Sequence, residues 1–474
     1  MPSDGAFNRR EFLALGAVGA FALQGAPRRP NRVMIYCDDL GYSDLGCYGH
    51  RMIRTPNLDQ LAARGTRFTS FYSTSPVCSP ARAALLTGHY PQCYGIHHAD
   101  LPESLPRYFL PESAVTIAEV LQQAGYYTAH VGKWHVGEPP DTVPPRQHGF
   151  HYFFGCFGGR PSSPWSRYAR SMDPEIIINE NRPVVYKGHV TEVETRAARE
   201  VIAGAKRDRP FFLALFYNAP HEPLAPLANQ AKLYRDWSSE EQTYFQTVTD
   251  MDAGVGQVLT QLREAGLEND TLVVFSSDNG PETHSHRYSR GSAWPRRGMK
   301  TQLWEGGVRV PGIVCWPGRV PAGKVSDEPA SILDVFPTFS AAAGVAAPQG
   351  LRLEGGVDLA ALANGKLSTA ARPLFFEFHF PQRGYVPSLP MAVRKGRWKL
   401  FAQHDLSVVE LYDLETGIGE QNDVAGQHPE VVRELREELR RWWAQFADQV
   451  DLTLKPVRVE TPGPEQLERK YYRN

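Results

Sequence analysis

Side chains that can bind a metal ion or transfer a proton follow four apolar stretches of this 474-residue chain. Each stretch is long enough for one buried strand, and ligands of open α/β sheets bind beyond the carboxyl ends of the strands. We therefore expect one convergent site, although adjacent aspartates alone are also typical of turns and helix caps. Carboxylate and amide oxygens suit a hard cation, Ca²⁺ or Mg²⁺, better than zinc. The side chains are Asp38 and Asp39, Lys133 and His135, His221, and Asp278 and Asn279.

The elements that must position these side chains alternate between helix and strand. Residues 32–37 form an apolar strand, and a second strand ends near Val131 with a loop that begins near Gly132. The stretches "RPFFLALFY" and "TLVVFSS" are two more strands, separated by a helix predicted over residues 238–264. Alternation of this kind is typical of an α/β fold. We predict a large mixed, mostly parallel sheet between helix layers.

Cys78 stands immediately before a helix-prone run and four residues ahead of Arg82. It could be a small buried residue, half of a disulfide, a metal ligand or a catalytic group. The six cysteines of the chain are scattered and contain no C-x-x-C pair. This excludes a zinc ribbon and a thioredoxin-type redox centre.

The C-terminal part of the chain has a different pattern. Short apolar stretches separated by glycine and charged turns, "RPLFFEFHF", "MAVRKGRWKLFA" and "VVELYDL", predict antiparallel strands. An amphipathic helix, "HPEVVRELREELRRWWAQFADQ", follows them. We predict a catalytic domain over residues 30–368 and a smaller α+β subdomain with an antiparallel sheet over residues 369–474.

The N-terminal segment has the features of an export signal. Arg9 and Arg10 precede Phe12 and Leu13, and an apolar run too short to span a bilayer comfortably follows. The arginine pair is typical of a bacterial twin-arginine signal, with an ordinary secretory signal or a frayed tail as alternatives. We predict a twin-arginine-type signal over residues 1–26, recognised by the twin-arginine export machinery. The protein would then be periplasmic or extracellular, with no stable membrane anchor.

Composition and net charge indicate which classes of binding partner to expect. The chain is 42% hydrophobic and 22% charged, as is usual for globular proteins. Its formal net charge of -1 gives no reason to expect nucleic acid or an anionic membrane as a partner.

The chain contains, in this order, the blocks "CSPAR" with "LLTG" behind it, "GKWHVG", "PHEP", "SSDNG" and "KTQLWEGGVRVPGI". These blocks resemble the signature motifs of type I, formylglycine-dependent sulfatases of the alkaline-phosphatase-like superfamily. The pattern is most similar to arylsulfatase A-like and N-acetylgalactosamine-6-sulfatase-like members. The resemblance implies that Cys78 is oxidised by a formylglycine-generating enzyme to formylglycine, whose hydrate is the nucleophile.

The same resemblance implies a metal centre. Asp38, Asp39, Asp278 and Asn279 would hold one divalent cation per chain, Ca²⁺ by expectation. The formylglycine at position 78 would also be a ligand.

The resemblance also assigns roles to the basic side chains. Arg82 would stabilise the ionised nucleophile, while Lys133 and Lys300 would bind the non-bridging sulfate oxygens. His221 would protonate the leaving alcohol with help from Lys133, and His135 would act on the formylglycine side. We interpret the "WEGG" stretch as structural, bringing Lys300 into position.

The implied activity is hydrolysis of a sulfate monoester, on a sulfated small molecule or saccharide. The alternatives are a phosphomonoester or phosphonate monoester hydrolase of the same superfamily and a non-catalytic sulfoglycan-binding protein. A His- and Arg-rich loop over residues 283–298 is either solvated or a substrate rim, with Arg287, Arg290, Arg296 and Arg297 as candidate contacts. His379 and Arg383 are further rim candidates.

Overall fold

The computed structural model describes residues 29–98, 109–137, 142–158, 171–206, 208–224, 226–227, 233–282, 290–346, 355–378 and 388–449. The predicted export signal over residues 1–26 lies outside these ranges. So do Arg287, His379 and Arg383. None of the described helices is long and apolar enough to cross a membrane.

Sixteen strands are described, and they form three sheets. In chain order they are β1 (Asn31–Cys37), β2 (Thr66–Phe68), β3 (Phe71–Tyr72), β4 (Tyr127–Lys133), β5 (Tyr152–Cys156), β6 (Glu175–Ile178), β7 (Val184–Val185), β8 (Phe211–Phe216), β9 (Thr271–Ser277), β10 (Gly312–Cys315), β11 (Lys324–Ser326), β12 (Ala330–Ser331), β13 (Leu374–Glu377), β14 (Met391–Lys395), β15 (Trp398–Ala402) and β16 (Val409–Asp413).

The described α-helices alternate with these strands through most of the chain. In order they are α1 (Pro56–Arg64), α2 (Cys78–Thr87), α3 (Ile117–Gln123), α4 (Val190–Ala203), α5 (Ser239–Glu264), α6 (Glu305–Val308), α7 (Val335–Ala343), α8 (Leu359–Ala363) and α9 (Pro429–Trp443). Helix α5 begins with a capping box, in which Ser238 and Glu241 bond each other's backbone N–H.

The central sheet has ten strands in the order β11-β2-β10-β9-β1-β8-β4-β5-β6-β7. Its middle strands β9, β1, β8, β4 and β5 are parallel, whereas β10, β6 and β7 join by antiparallel pairing. The predicted mixed, mostly parallel sheet is therefore confirmed. Because the middle strands run the same way, their carboxyl ends lie at one edge.

Both faces of this sheet are covered by helices. Side chains of a strand point alternately to its two faces, so Met34 and Tyr36 of β1 enter one core while Val33 and Ile35 enter the other. Helices α2, α3, α7 and α8 cover the first face, and α1, α4 and α5 cover the second. The near-continuous apolar sequence of the middle strands follows from burial on both faces.

A separate four-stranded antiparallel sheet, β13-β14-β15-β16, forms near the C-terminus. This confirms the predicted antiparallel unit, while its boundary at residue 369 stays a prediction. Helix α9 packs on one face of the sheet through Leu435 and Leu439. The opposite face contacts Leu303, Trp304 and Val308 of the segment around α6.

Two glycines pack backbone to backbone where β4 meets β5. Gly132 and Gly155 are register partners, and a Cβ on Gly155 would lie 1.8 Å from the Gly132 carbonyl oxygen. Gly132 has a φ of 104°, in the region that favours glycine, and it directly precedes Lys133.

Gly155→Ala should therefore lower the free energy of unfolding by about 1–3 kcal/mol, because the β4 and β5 backbones must separate. Urea denaturation measures this change. The matched control is Gly426→Ala, at a position where an added Cβ meets nothing within 4 Å. Equal unfolding midpoints for the two variants would contradict the packing argument.

Candidate active site

The carboxyl ends of β1 and β9 place three carboxylates and one amide in contact. These strands are parallel neighbours with Cys37 opposite Ser277, so the residues that follow them emerge side by side. The backbone N–H of Asp39 donates to Asp278 Oδ1 at 3.1 Å. Asn279 Nδ2 donates to Asp39 Oδ1 at 2.7 Å. Asp38 and Asp278 have no solvent exposure.

Cys78 is the first residue of helix α2, and its Sγ lies 3.1 Å from Asp38 Oδ1. Every residue of the helix is buried, and Gly88 ends it in the left-handed conformation. Burial, followed by the neighbouring carboxylate of Asp278, raises the pKa of the Cys78 thiol well above its ordinary value. The unmodified side chain therefore stays a protonated thiol, a poor nucleophile.

Arg82 lies one helical turn beyond Cys78 and contacts the same acids. Its Nη2 and Nε donate to Asp278 Oδ2 at 2.8 and 3.2 Å, and Nη1 donates to the Lys133 carbonyl at 2.7 Å. Burial alone would lower the pKa of this guanidinium, but Asp38 and Asp278 raise it above its ordinary value. Arg82 is therefore a fixed positive charge beside residue 78.

Two lysines that are far apart in the sequence contact the carboxylates of the site. Lys133 Nζ donates to Asp38 Oδ2 at 2.6 Å, and Lys300 Nζ donates to Asp39 Oδ2 at 2.8 Å. The sequence predicted a loop from Gly132, but β4 continues through Lys133, because both residues pair with β5. Burial acts to lower the pKa of Lys133, and Asp38 outweighs it, so the amine stays charged.

The two predicted histidines occupy different depths. His221 Nε2 lies 3.6 Å from Asp39 Oδ2, and about a third of its side chain is exposed (31%). His221 Nδ1 also lies 2.7 Å from the Glu222 carbonyl oxygen. His135 is buried at 4% exposure and has a φ of 60°, just beyond the end of β4. The structure thus brings both rings to the same edge of the sheet, His221 on the solvent side.

The site contains equal numbers of buried carboxylates and side-chain cations. Burial and the adjacent Asp38 raise the pKa of Asp278 to about 7, so a further positive charge would stabilise its ionised form. A bound divalent cation would leave the site with net positive charge, which favours an anionic substrate. The carboxylates are those of Asp38, Asp39 and Asp278, and the cations are Arg82, Lys133 and Lys300.

Comparison with known proteins identifies the family of this chain. A family model described as sulfatase matches residues 30–345, and one described as the C-terminal region of N-sulphoglucosamine sulphohydrolase matches residues 299–445. The chain is 38% identical to arylsulfatase A of Homo sapiens, over 90% of each protein. The chain belongs to the sulfatase family.

Further relatives extend the comparison. This sulfatase is 36% identical to N-acetylgalactosamine-6-sulfatase of Canis lupus familiaris, over 84% of this chain and 76% of that protein. The crystal structure of Ps i-CgsB in complex with k-i-k-neocarrahexaose matches with a TM-score of 0.77 and 30% identity. That match covers 88% of this chain and 93% of the other.

The donor set of the sulfatase site fits the Ca²⁺ that this family generally uses. Asn279 Oδ1 is buried and has no hydrogen-bond partner among the residues that the structure describes, as expected for an oxygen reserved for a cation. The carboxylates of Asp38, Asp39 and Asp278 and the Sγ of Cys78 offer ligand atoms within 4.8 Å of one another. Oxygen donors of this kind are the ligands that Ca²⁺ prefers.

In the described part of the His- and Arg-rich loop, residues 290–298, the arginines contact side chains of other segments. Arg290 pairs with Glu240. The Arg296 guanidinium stacks 3.5 Å from the Tyr42 ring centroid, and Arg297 lies at the same distance over the Trp304 ring. These contacts give the three arginines a role in holding the loop, which neither sequence interpretation included.

The remaining cysteines and Trp134 behave as core residues. The structure describes all six cysteines, including Cys78, without a disulfide between them, and most are buried. Trp134 has no exposure and packs against His130 and Phe150.

Asn279→Ala should weaken Ca²⁺ binding by at least about 10-fold, because an oxygen ligand is lost and Asp39 loses its hydrogen-bond donor. Calorimetric titration of the full chain with Ca²⁺ measures the change. Asn364→Ala is the control, since Asn364 is exposed and its side-chain amide donates to the Arg319 and Ala360 carbonyls. Unchanged Ca²⁺ affinity in Asn279→Ala would remove this residue from the ligand set.

Proposed function

We propose that this sulfatase hydrolyses a sulfate monoester of a sulfated carbohydrate, using one Ca²⁺ and a formylglycine formed from Cys78. The observation that carries the proposal is the position of Cys78, whose Sγ lies 3.1 Å from Asp38 Oδ1 in the acidic cluster. A thiol held protonated by burial has little use there, whereas an aldehyde hydrate at the same position would be an oxygen ligand and a nucleophile.

The chemistry explains why an aldehyde hydrate is useful. A serine that attacked the sulfate ester would be left sulfated and would need a second difficult attack at sulfur. The hydrate has two hydroxyls, so one oxygen takes the sulfuryl group as the alcohol leaves. Deprotonation of the other hydroxyl then expels sulfate and restores the aldehyde, which divides one hard reaction into two steps.

We assign the basic residues by their position. Bound Ca²⁺ would act as a Lewis acid on the nucleophile and a sulfate oxygen. Arg82 stabilises the ionised nucleophile, and Lys133 and Lys300 bind the non-bridging oxygens where charge develops. The partial exposure of His221 supports its role as the acid for the leaving alcohol, with Lys133 assisting. Burial of His135 favours a role on the formylglycine side.

The names of the relatives support a carbohydrate substrate. Two are arylsulfatase A and N-acetylgalactosamine-6-sulfatase, and the solved structure of Ps i-CgsB holds a neocarrahexaose. A phosphomonoester or phosphonate monoester hydrolase of the same superfamily is the competing proposal, because both reactions place an anionic group on the same cations.

Export belongs to the proposal as well. The twin-arginine-type signal over residues 1–26 would carry a folded protein out of the cytoplasm. A formylglycine-generating enzyme would act on Cys78 in the cytoplasm, before α2 is enclosed and the folded protein is exported, since the finished helix is buried on every side.

Cys78→Ala should abolish turnover of an aryl sulfate, because both hydroxyls of the nucleophile are lost. Cys78→Ser should release at most one equivalent of phenol per chain, since serine has no second hydroxyl with which to expel sulfate. Release of phenol, followed by absorbance, tests both variants. Cys47→Ala, a half-buried cysteine in another part of the fold, should keep its activity. Turnover near wild type in Cys78→Ala would contradict the mechanism.

Matched aryl sulfate and aryl phosphate substrates separate the two proposed activities. We expect a higher kcat/KM for the sulfate with the wild-type protein, carrying formylglycine and loaded with Ca²⁺. Parallel steady-state assays at one pH and ionic strength measure the ratio. Faster hydrolysis of the phosphate would favour the competing proposal.

A further inference from the structure

Lys300 lies on a short segment, residues 299–308, that we call the Lys300 turn. It contacts the nucleophile segment and the metal-ligand segment through its backbone. The Thr301 N–H donates to the Pro76 carbonyl at 2.9 Å, two residues before Cys78. The Lys300 N–H donates to the Pro281 carbonyl at 3.0 Å. Any shift of the Lys300 turn is therefore passed to both neighbours.

The turn has no room to shift alone. The Gly280 N–H donates to the Gly307 carbonyl at 2.9 Å, and a Cβ on Gly280 would lie 1.8 Å from the Gly306 carbonyl oxygen. Gly280 directly follows Asn279, whose Nδ2 donates to Asp39 Oδ1 in the candidate metal site. The Lys300 turn thus sets the position of a sulfate-binding lysine and supports a metal ligand.

The buried carboxylate of Glu305 anchors the Lys300 turn to the rest of the protein. It accepts hydrogen bonds from Tyr72 Oη at 2.8 Å, Arg309 Nη1 at 2.9 Å and Lys399 Nζ at 2.9 Å. Lys399 belongs to β15 of the C-terminal sheet, 94 residues further along the chain. Both Glu305 and Lys399 have no solvent exposure.

A second carboxylate of the C-terminal region completes this cluster. Glu420 Oε2 accepts the Glu305 N–H at 2.6 Å, and Glu420 Oε1 lies 3.2 Å from Lys399 Nζ. Its backbone carbonyl accepts a hydrogen bond from Arg297 Nη1 at 3.0 Å. Lys399 therefore contacts both carboxylates. Glu305 is itself part of the Lys300 turn, and Glu420 accepts a hydrogen bond from the backbone of that turn.

The positive charge of Lys399 affects the ionisation of both Glu305 and Glu420. Burial raises the pKa of Glu305, yet Lys399 and then Arg309 more than offset it and keep the carboxylate ionised. Burial raises the pKa of Glu420 to about 7 against the opposing effect of Lys399. Without Lys399, the two buried carboxylates would lose the cation that contacts both of them, and such uncompensated charge is costly.

We propose that Lys399 and Glu420 are positioning residues that place Lys300 for binding the sulfate group, through Glu305 and the Lys300 turn. This inference rests on the proposed function for the role of Lys300. A different lysine of the C-terminal sheet, Lys395 of β14, forms the ion pairs with helix α9, through Glu434 and Glu438. Lys399 faces the other way, toward the turn.

The test uses the full chain with Ca²⁺ and measures inorganic sulfate affinity by calorimetry, together with kcat and KM for an aryl sulfate. Lys399→Met should weaken sulfate binding and lower kcat/KM by about 10- to 100-fold, as a displacement near 1 Å of a binding group does. Lys300→Met should weaken sulfate binding to a similar degree. Lys395→Met is the matched control and should stay within about twofold of wild type, because its partly exposed ion pairs join the sheet to α9 and not to the Lys300 turn.

A rescue experiment distinguishes a positioning role of Lys399 from a general effect on the stability of the protein. The double variant Lys399→Met/Glu420→Gln removes one cation with one carboxylate and keeps an amide oxygen for the Glu305 N–H. It should recover sulfate affinity and kcat/KM to within about threefold of wild type, because the remaining charges of Glu305 and Arg309 balance. Urea midpoints report the stability of each variant separately.

Equal sulfate affinity in Lys399→Met, Lys395→Met and wild type would overturn the inference. So would a loss in Lys399→Met that the double variant does not recover. Failure of the proposed function looks different: the wild type would bind sulfate but not hydrolyse the aryl sulfate, and the affinity measurements would still decide the role of Lys399.

Discussion

Three carboxylates buried at one edge of the central sheet are the constraint on which the rest of the site depends. Asp38 and Asp278 have no exposure and Asp39 has 2%. Buried charges without partners are strongly unfavourable, so each surrounding element must contribute a cation. Helix α2 supplies Arg82 and β4 supplies Lys133. The Lys300 turn supplies the third, and a bound cation would add positive charge for an anionic substrate.

This requirement accounts for the burial of α2 on every side. Residues four apart on a helix lie on the same face, so Cys78 contacts Asp38 while Arg82 reaches both Asp38 and Asp278. The helix cannot tilt without losing a charge partner and its packing against α7 together. Modification of Cys78 would consequently have to precede closure of the fold, as the proposed order of events requires.

The C-terminal sheet belongs to the framework of the site in the same way. Its α9 face extends the main core, while its other face covers Trp304 and delivers Lys399 to Glu305. The Lys300 turn therefore lies between two buried charge clusters. The cluster around Asp39 is catalytic in our proposal, and the other contains Glu305 and Lys399. The C-terminal sheet would then tune the sulfate-binding edge through the Lys300 turn.

The amino-acid sequence by itself determined the parallel α/β sheet and the edge at which acids, amide, lysine and histidine meet. Strand hydrophobicity is local, and carboxyl ends of parallel strands share an edge, so both could be predicted. Tertiary structure alone decided how far β4 extends and how Arg296 and Arg297 are engaged. It alone joined Lys399 to Glu305, because a buried ion pair between residues 94 positions apart depends on packing and has no local sequence signal.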